Sequence, residues 1–215
     1  MTEQEWLGCD KPHPMLTFLR GRVSNRKLRL YACASCRRVW PLLQDGRSRK
    51  AVELAEQYAD GLTSYPNLKD AQEKARQVWH ALARVHRGAA WGTPGMWAMR
   101  AAEQAAAAAG REAWRAAWDV ADEYQGGHPD TLRDIVGPLP FREVSLHPSL
   151  LTWVDGMIRK LAQAIYDQRA FDRMPILADT LEEAGCSDKE ILGHCRSPND
   201  HVRGCWLLDL LLNKG

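Results

Sequence analysis

Five side chains that bind soft metals fall within one short C-terminal stretch: Cys186, His194, Cys195, His201 and Cys205. His201 and Cys205 are four apart, so a helix beginning at Asp200 would place them on one face, one turn from each other, a geometry that zinc sites use. Cys186 and Cys195 then supply two further corners from loops. Cys186, Cys195, His201 and Cys205 are therefore the candidate ligands of a tetrahedral structural zinc. The same residues also read as packed core. Cysteine is among the most buried residue types, Cys186 follows a helix-ending glycine, and Cys205-Trp206-Leu207-Leu208 is an apolar run. No standard finger spacing is present. The expectation is no cofactor, with zinc as the alternative.

Other chemistry finds no constellation. Cys33-Ala34-Ser35-Cys36 is a C-x-x-C, but it sits inside a helical pattern and lacks the strand-to-helix turn of redox-active pairs. No Gly-x-Ser-x-Gly elbow and no Gly-x-x-x-x-Gly-Lys phosphate loop occur. His80 and His86 are six apart and face different ways on a helix, while His13, His128 and His147 each adjoin a proline. Adjacent acids such as Glu182-Glu183 point apart. The reading leans away from an enzyme.

Charge is distributed unevenly. The net charge is +2, yet from Arg20 to Lys50 ten basic residues face one acid, Asp45, a local +9 that leaves −7 for the rest. Arg22, Arg26, Lys27, Arg29, Arg37 and Arg38 read as a basic face on the outer side of one helix, with Tyr31 and Trp40 nearby. Such a face suits a protein partner with an acidic surface, and a nucleic acid is the alternative. A non-catalytic interaction or adaptor protein is the favoured function; a nucleic-acid-associated accessory protein and a small zinc-binding protein are the others. Internal pairing with Glu53, Glu56, Asp179, Glu182 or Glu183 would remove the face.

These side chains must be positioned by helices. Nearly every apolar stretch of the 215-residue chain repeats at three and four, and strand-like alternation is absent apart from one extended stretch, Phe141 to Leu146. The spacing predicts an all-α, irregular multi-helix bundle with a long antiparallel helical hairpin in its middle. One arm runs from Ser64 to about His86, the link spans Gly88 to Gly95, and the other arm reaches Tyr124 through the alanine tract Ala105 to Ala109. Gly126-Gly127-His128-Pro129 marks a boundary between a lobe 1–127 and a lobe 128–215, packed as one domain. Three closing helices are expected over Pro148 to Gln168, Asp172 to Ala184 and Asp200 to Leu212, with Ser187 capping a short turn through Glu190.

Composition, at 45% hydrophobic and 26% charged, excludes wholesale disorder. No apolar run approaches the roughly 20 residues that a bilayer span needs, and the first ten residues carry no export signal. A cytoplasmic protein with no membrane contact and six reduced cysteines is expected.

Leu28-Arg29-Leu30-Tyr31-Ala32-Cys33-Ala34-Ser35-Cys36-Arg37-Arg38-Val39-Trp40 and His201-Val202-Arg203-Gly204-Cys205-Trp206-Leu207-Leu208-Asp209-Leu210-Leu211-Leu212 resemble segments of a large, uncharacterised family of bacterial paralogues. Ile176 to Gly185 resembles the core of the short bacterial repeat-companion domain, with Thr180 where that domain usually has an aromatic. The resemblance implies a shared helical fold across most of the chain and no activity.

Overall fold

Capping residues set the helix boundaries of the N-terminal part. Thr2 starts α1 (Glu3–Gly8) reciprocally: its hydroxyl accepts from the Glu5 N–H at 3.2 Å, and its own N–H donates to the Glu5 carboxylate at 2.8 Å. Pro12 opens α2 (Pro12–Leu19), and Ser24 caps α3 (Asn25–Arg38) by accepting from the Lys27 N–H. α3 ends at Arg38, and a single tight turn, Trp40–Leu42, uses Pro41 where a longer helix would have lost a hydrogen bond. Asp45 caps α4 (Gly46–Ala59), and Ser48 is buried inside its first turn.

The computed structural model describes residues 1–85, 94–107, 113–123, 128–138 and 140–214, and all regular structure among them is helical, with no strand. The chain divides into two compact units, Met1–Leu132 and Arg133–Gly215, a division that falls inside α8 (Pro129–Val136). Gly126-Gly127, most of the link at Gly88 to Gly95, and Ala108 and Ala109 lie outside the described residues.

In the N-terminal unit α3, α4, α5 (Tyr65–Val85), α6 (Pro94–Ala107) and α7 (Ala113–Glu123) pack around a core rich in small side chains, among them Ala32, Cys36, Ala51, Ala55, Ala75, Ala98 and Ala102. Small residues let helix axes approach closely. The second arm of the expected hairpin is not one straight helix. α6 and α7 pack against each other and both against α3, which a continuous rod cannot do.

In the C-terminal unit α9 (Pro148–Thr152), α10 (Met157–Gln168), α11 (Met174–Glu183), α12 (Lys189–Cys195) and α13 (Trp206–Leu212) follow. Ile158, Ile165, Tyr166, Met174, Leu177, Leu181, Ile191, Leu207 and Leu211 form its core. Three expectations are corrected here. Pro148 to Gln168 is two helices, because Val154, Asp155 and Gly156 all adopt positive φ and break the ladder. Asp188 rather than Ser187 caps α12, accepting from the Glu190 and Ile191 N–H groups at 2.8 and 3.2 Å. The last helix starts at Trp206, not Asp200, and Cys205 is its N-cap. The Cys205 N–H donates to the Val202 carbonyl at 3.0 Å, closing a turn with Gly204 at φ 93°, a value that excludes regular helix and suits glycine.

Candidate metal centre

Four elements of the C-terminal unit converge on one point. α8 supplies Asp134, α12 supplies His194, the segment between α12 and α13 supplies His201, and Cys205 stands at the start of α13. One potential ligand atom from each residue lies within 4.8 Å of all the others. His201 Nδ1 is 2.6 Å from Asp134 Oδ1 and 4.0 Å from Cys205 Sγ, while His194 Nε2 is 3.1 Å from Cys205 Sγ and 3.4 Å from Asp134 Oδ1. Zinc bonds of about 2.0–2.3 Å in a tetrahedron set ligand atoms about 3.3–3.8 Å apart. The observed edges straddle that range, so small side-chain rotations suffice to close a site. These residues are able to hold a metal ion.

The surroundings favour the ligating form of His194. The Asp134 and His201 side chains are each 5% exposed and that of His194 is 16% exposed. Burial pushes His194 down to about 4; Asp134 pulls the other way, and His201 adds to the lowering. His194 is thus neutral near pH 7, the state a metal requires. Asp134 is oriented by its second oxygen, which accepts from the Val202 N–H at 2.9 Å. The His194 ring lies 4.9 Å from Trp206, centroid to centroid. Trp206 in turn covers Gly137 so closely that a Cβ there would fall 2.4 Å from the indole.

Of the expected zinc ligands, the structure brings together His201 and Cys205 and leaves Cys186 and Cys195 outside the cluster. Both are buried in the apolar core, where burial pushes the Cys195 thiol up to about 12. Adjacent positions on α12 point about 100° apart, so with His194 facing the centre, Cys195 faces the core. Asp134, some sixty residues upstream, carries no local signal of its role. His194 was visible as one of the five soft ligands.

The basic residues of α3 do not form a continuous outer face. Lys27 and Arg29 are only 6% and 3% exposed, because α3 is the helix against which α4, α6 and α7 all pack. Arg26 pairs with Asp60 at 2.9 Å, and Arg37 grips Glu56 with two hydrogen bonds of 3.1 and 2.8 Å while its guanidinium lies over Trp40 at 3.8 Å. Arg22 stacks on Phe18, and Arg38 is exposed. Of the acids named as internal partners, Glu56 serves Arg37 and Glu53 pairs with Lys50, whereas Asp179 and Glu182 bind Arg196. Cys33 and Cys36 are buried within α3, and desolvation raises both thiols, the opposite of an activated pair. Among the described residues no helix is long and apolar enough to cross a membrane.

Comparisons with family models, with curated proteins and with solved structures found no match to the chain.

Proposed function

We propose that the protein is a non-catalytic helical module whose C-terminal unit is built around a structural zinc ion. The observation that carries this reading is the convergence of Asp134, His194, His201 and Cys205, drawn from four separate elements, on one small volume. A set of two imidazoles, a thiolate and a carboxylate suits zinc over magnesium or calcium, which prefer all-oxygen shells. All four corners come from the protein and the side chains are largely shielded, as in a closed structural site; a catalytic site keeps one position for water. In the metal's role, the short α12 and α13 and the irregular segment between them are tied to α8, which offsets their small share of regular hydrogen bonding.

The test is elemental analysis of the full chain expressed without a histidine tag. One equivalent of zinc is expected, with cobalt substitution giving the visible bands of a tetrahedral site with a thiolate ligand. His201→Ala and Asp134→Asn should each lower metal affinity at least tenfold. Protein that is metal-free and gains no cobalt spectrum would sink the proposal.

A further inference from the structure

We infer that the N-terminal unit binds single-stranded nucleic acid on the surface shared by α2 and α7, where arginines lie over partly exposed aromatic rings. This surface holds none of the candidate metal ligands, so the inference stands apart from the zinc reading. Between Lys11 and Gln44 the chain has no acid at all. Along α3 that positive excess is absorbed internally: Lys27 and Arg29 are buried, Arg26 pairs with Asp60, and Arg37 pairs with Glu56. Arg20 and Arg22, just past α2, are exposed, and rings stand where carboxylates would. Arg20 lies over Trp114 of α7, 4.6 Å from the ring centroid, and Arg22 lies over Phe18 of α2 at 4.8 Å. Arg115, exposed and next to Trp114 in the chain, adds a third cation. Among the described residues none of the three has a carboxylate partner. The acids of α7, Asp119, Asp122 and Glu123, all come after Trp118, toward its C-terminal end.

The rings are held in place before any ligand arrives. The Trp114 indole N–H donates to the Leu16 carbonyl at 2.9 Å, and the ring lies 5.0 Å from that of Trp118, tilted by 36°. Phe18, Trp114 and Trp118 are half-buried, so part of each side chain stays at the surface. A cation–π contact positions a guanidinium without cancelling its charge, which leaves its field for an incoming phosphate. Single strands are bound by this combination: unstacked bases layer on aromatic rings or guanidinium planes while cations meet the backbone. An acidic protein would satisfy the arginines and leave the rings unused, and a duplex keeps its bases stacked inside. The pairing of ring and arginine, twice on one surface, therefore favours a single strand.

The experiment is fluorescence anisotropy of labelled oligo(dT) and oligo(U), each about a dozen nucleotides long, titrated with the full chain. Both should bind, with a log–log salt slope of about −2, as for three phosphate contacts on a single strand. Arg20→Gln, Arg22→Gln and Arg115→Gln should each weaken binding and make the slope shallower by about 0.7. Arg115 is held by no ring, so its variant tests the charge even where the other two disturb packing. Lys74→Gln removes the same charge from a cation that Asp70 already neutralises, and it should leave binding within about twofold. An abasic strand of equal length keeps the phosphates and should bind at least about tenfold more weakly, because each stacked base contributes about 1–3 kcal/mol. No binding at low salt overturns the inference, as does binding that the three arginine variants leave unchanged. Equal affinity for the abasic strand or for a duplex removes the stacking role of the rings and overturns it too. Polyglutamate that competes as well as oligo(dT) makes the surface a dock for an acidic protein and overturns the nucleic-acid class. None of these outcomes touches the metal reading, which is tested by zinc content.

Discussion

Asp134 uses both carboxylate oxygens, one toward His201 and His194 and the other on the Val202 N–H, so it orders the loop as well as the two imidazoles. Cys205 and Cys195 provide the sharpest contrast between metal and packing, since both are fully buried thiols in the same unit. Cys205→Ala should abolish metal binding, whereas Cys195→Ala should keep one equivalent and cost only on the order of 1–2 kcal/mol, as for other small core truncations. Urea unfolding with and without chelator separates the two, because chelator should destabilise the Cys195 variant and leave the Cys205 variant unchanged. His194 sets a pH dependence. Its folded value, about 4, lies below the ordinary 6.5, so the unfolded chain takes up the proton first. That contribution to stability is complete above pH 6.5 and is lost as pH falls toward 4, and metal is released in the same direction because protons compete for the ligand. Denaturant midpoints of stripped protein should therefore fall across this window, and His194→Gln should flatten the slope; an unchanged slope would remove His194 from the account.

α8 and α13 are fitted to each other at one glycine. Gly137 follows the last turn of α8 at φ 62°, where a side chain is strained, and the indole of Trp206 occupies the space a Cβ would need. Gly137→Ala must move Trp206, the first residue of α13 and the neighbour of both His194 and Cys205. We expect a loss of about 2–4 kcal/mol, from strain and overpacking together, with a shifted tryptophan emission and weakened metal binding. Wild-type stability in this variant would show that the close packing is dispensable. The turn Val202 to Cys205 works at the same scale: it turns the chain back so that Cys205 Sγ comes within 4.0 Å of His201 Nδ1, although the two residues share no helix.

All four candidate ligands and the core that supports them lie within the C-terminal unit, while the N-terminal unit has its own alanine-rich core and buried ion pairs. A fragment beginning at His128, which keeps α8 whole, should bind one equivalent of zinc and unfold cooperatively only when metal is present, because structural zinc binding is coupled to folding. Circular dichroism of the fragment with and without chelator checks this. A fragment that binds no metal while the full chain does would place part of the site's support in residues 1–127.

The all-α class was legible in the sequence because apolar residues repeat at helical spacing and because caps such as Thr2 and Ser24 act within one turn. Those are local effects, decided by a residue and its near neighbours. His201 and Cys205 were legible as ligands by type, but the helix expected to pair them does not exist, and Gly204 between them was the overlooked local signal. The exchange of Cys186 and Cys195 for Asp134 and His194 could not be read, since it depends on which face of α12 meets α8. The basic face failed for a similar reason: charge along a sequence says nothing of which helix becomes central, and α3, packed by three others, turned Lys27 and Arg29 inward and drew Asp60 and Glu56 onto Arg26 and Arg37. Residue type and spacing determined the helices and the kinds of atom available, and only tertiary packing decided which of those atoms meet, because contact between distant segments is set by the whole core and by no single stretch of chain.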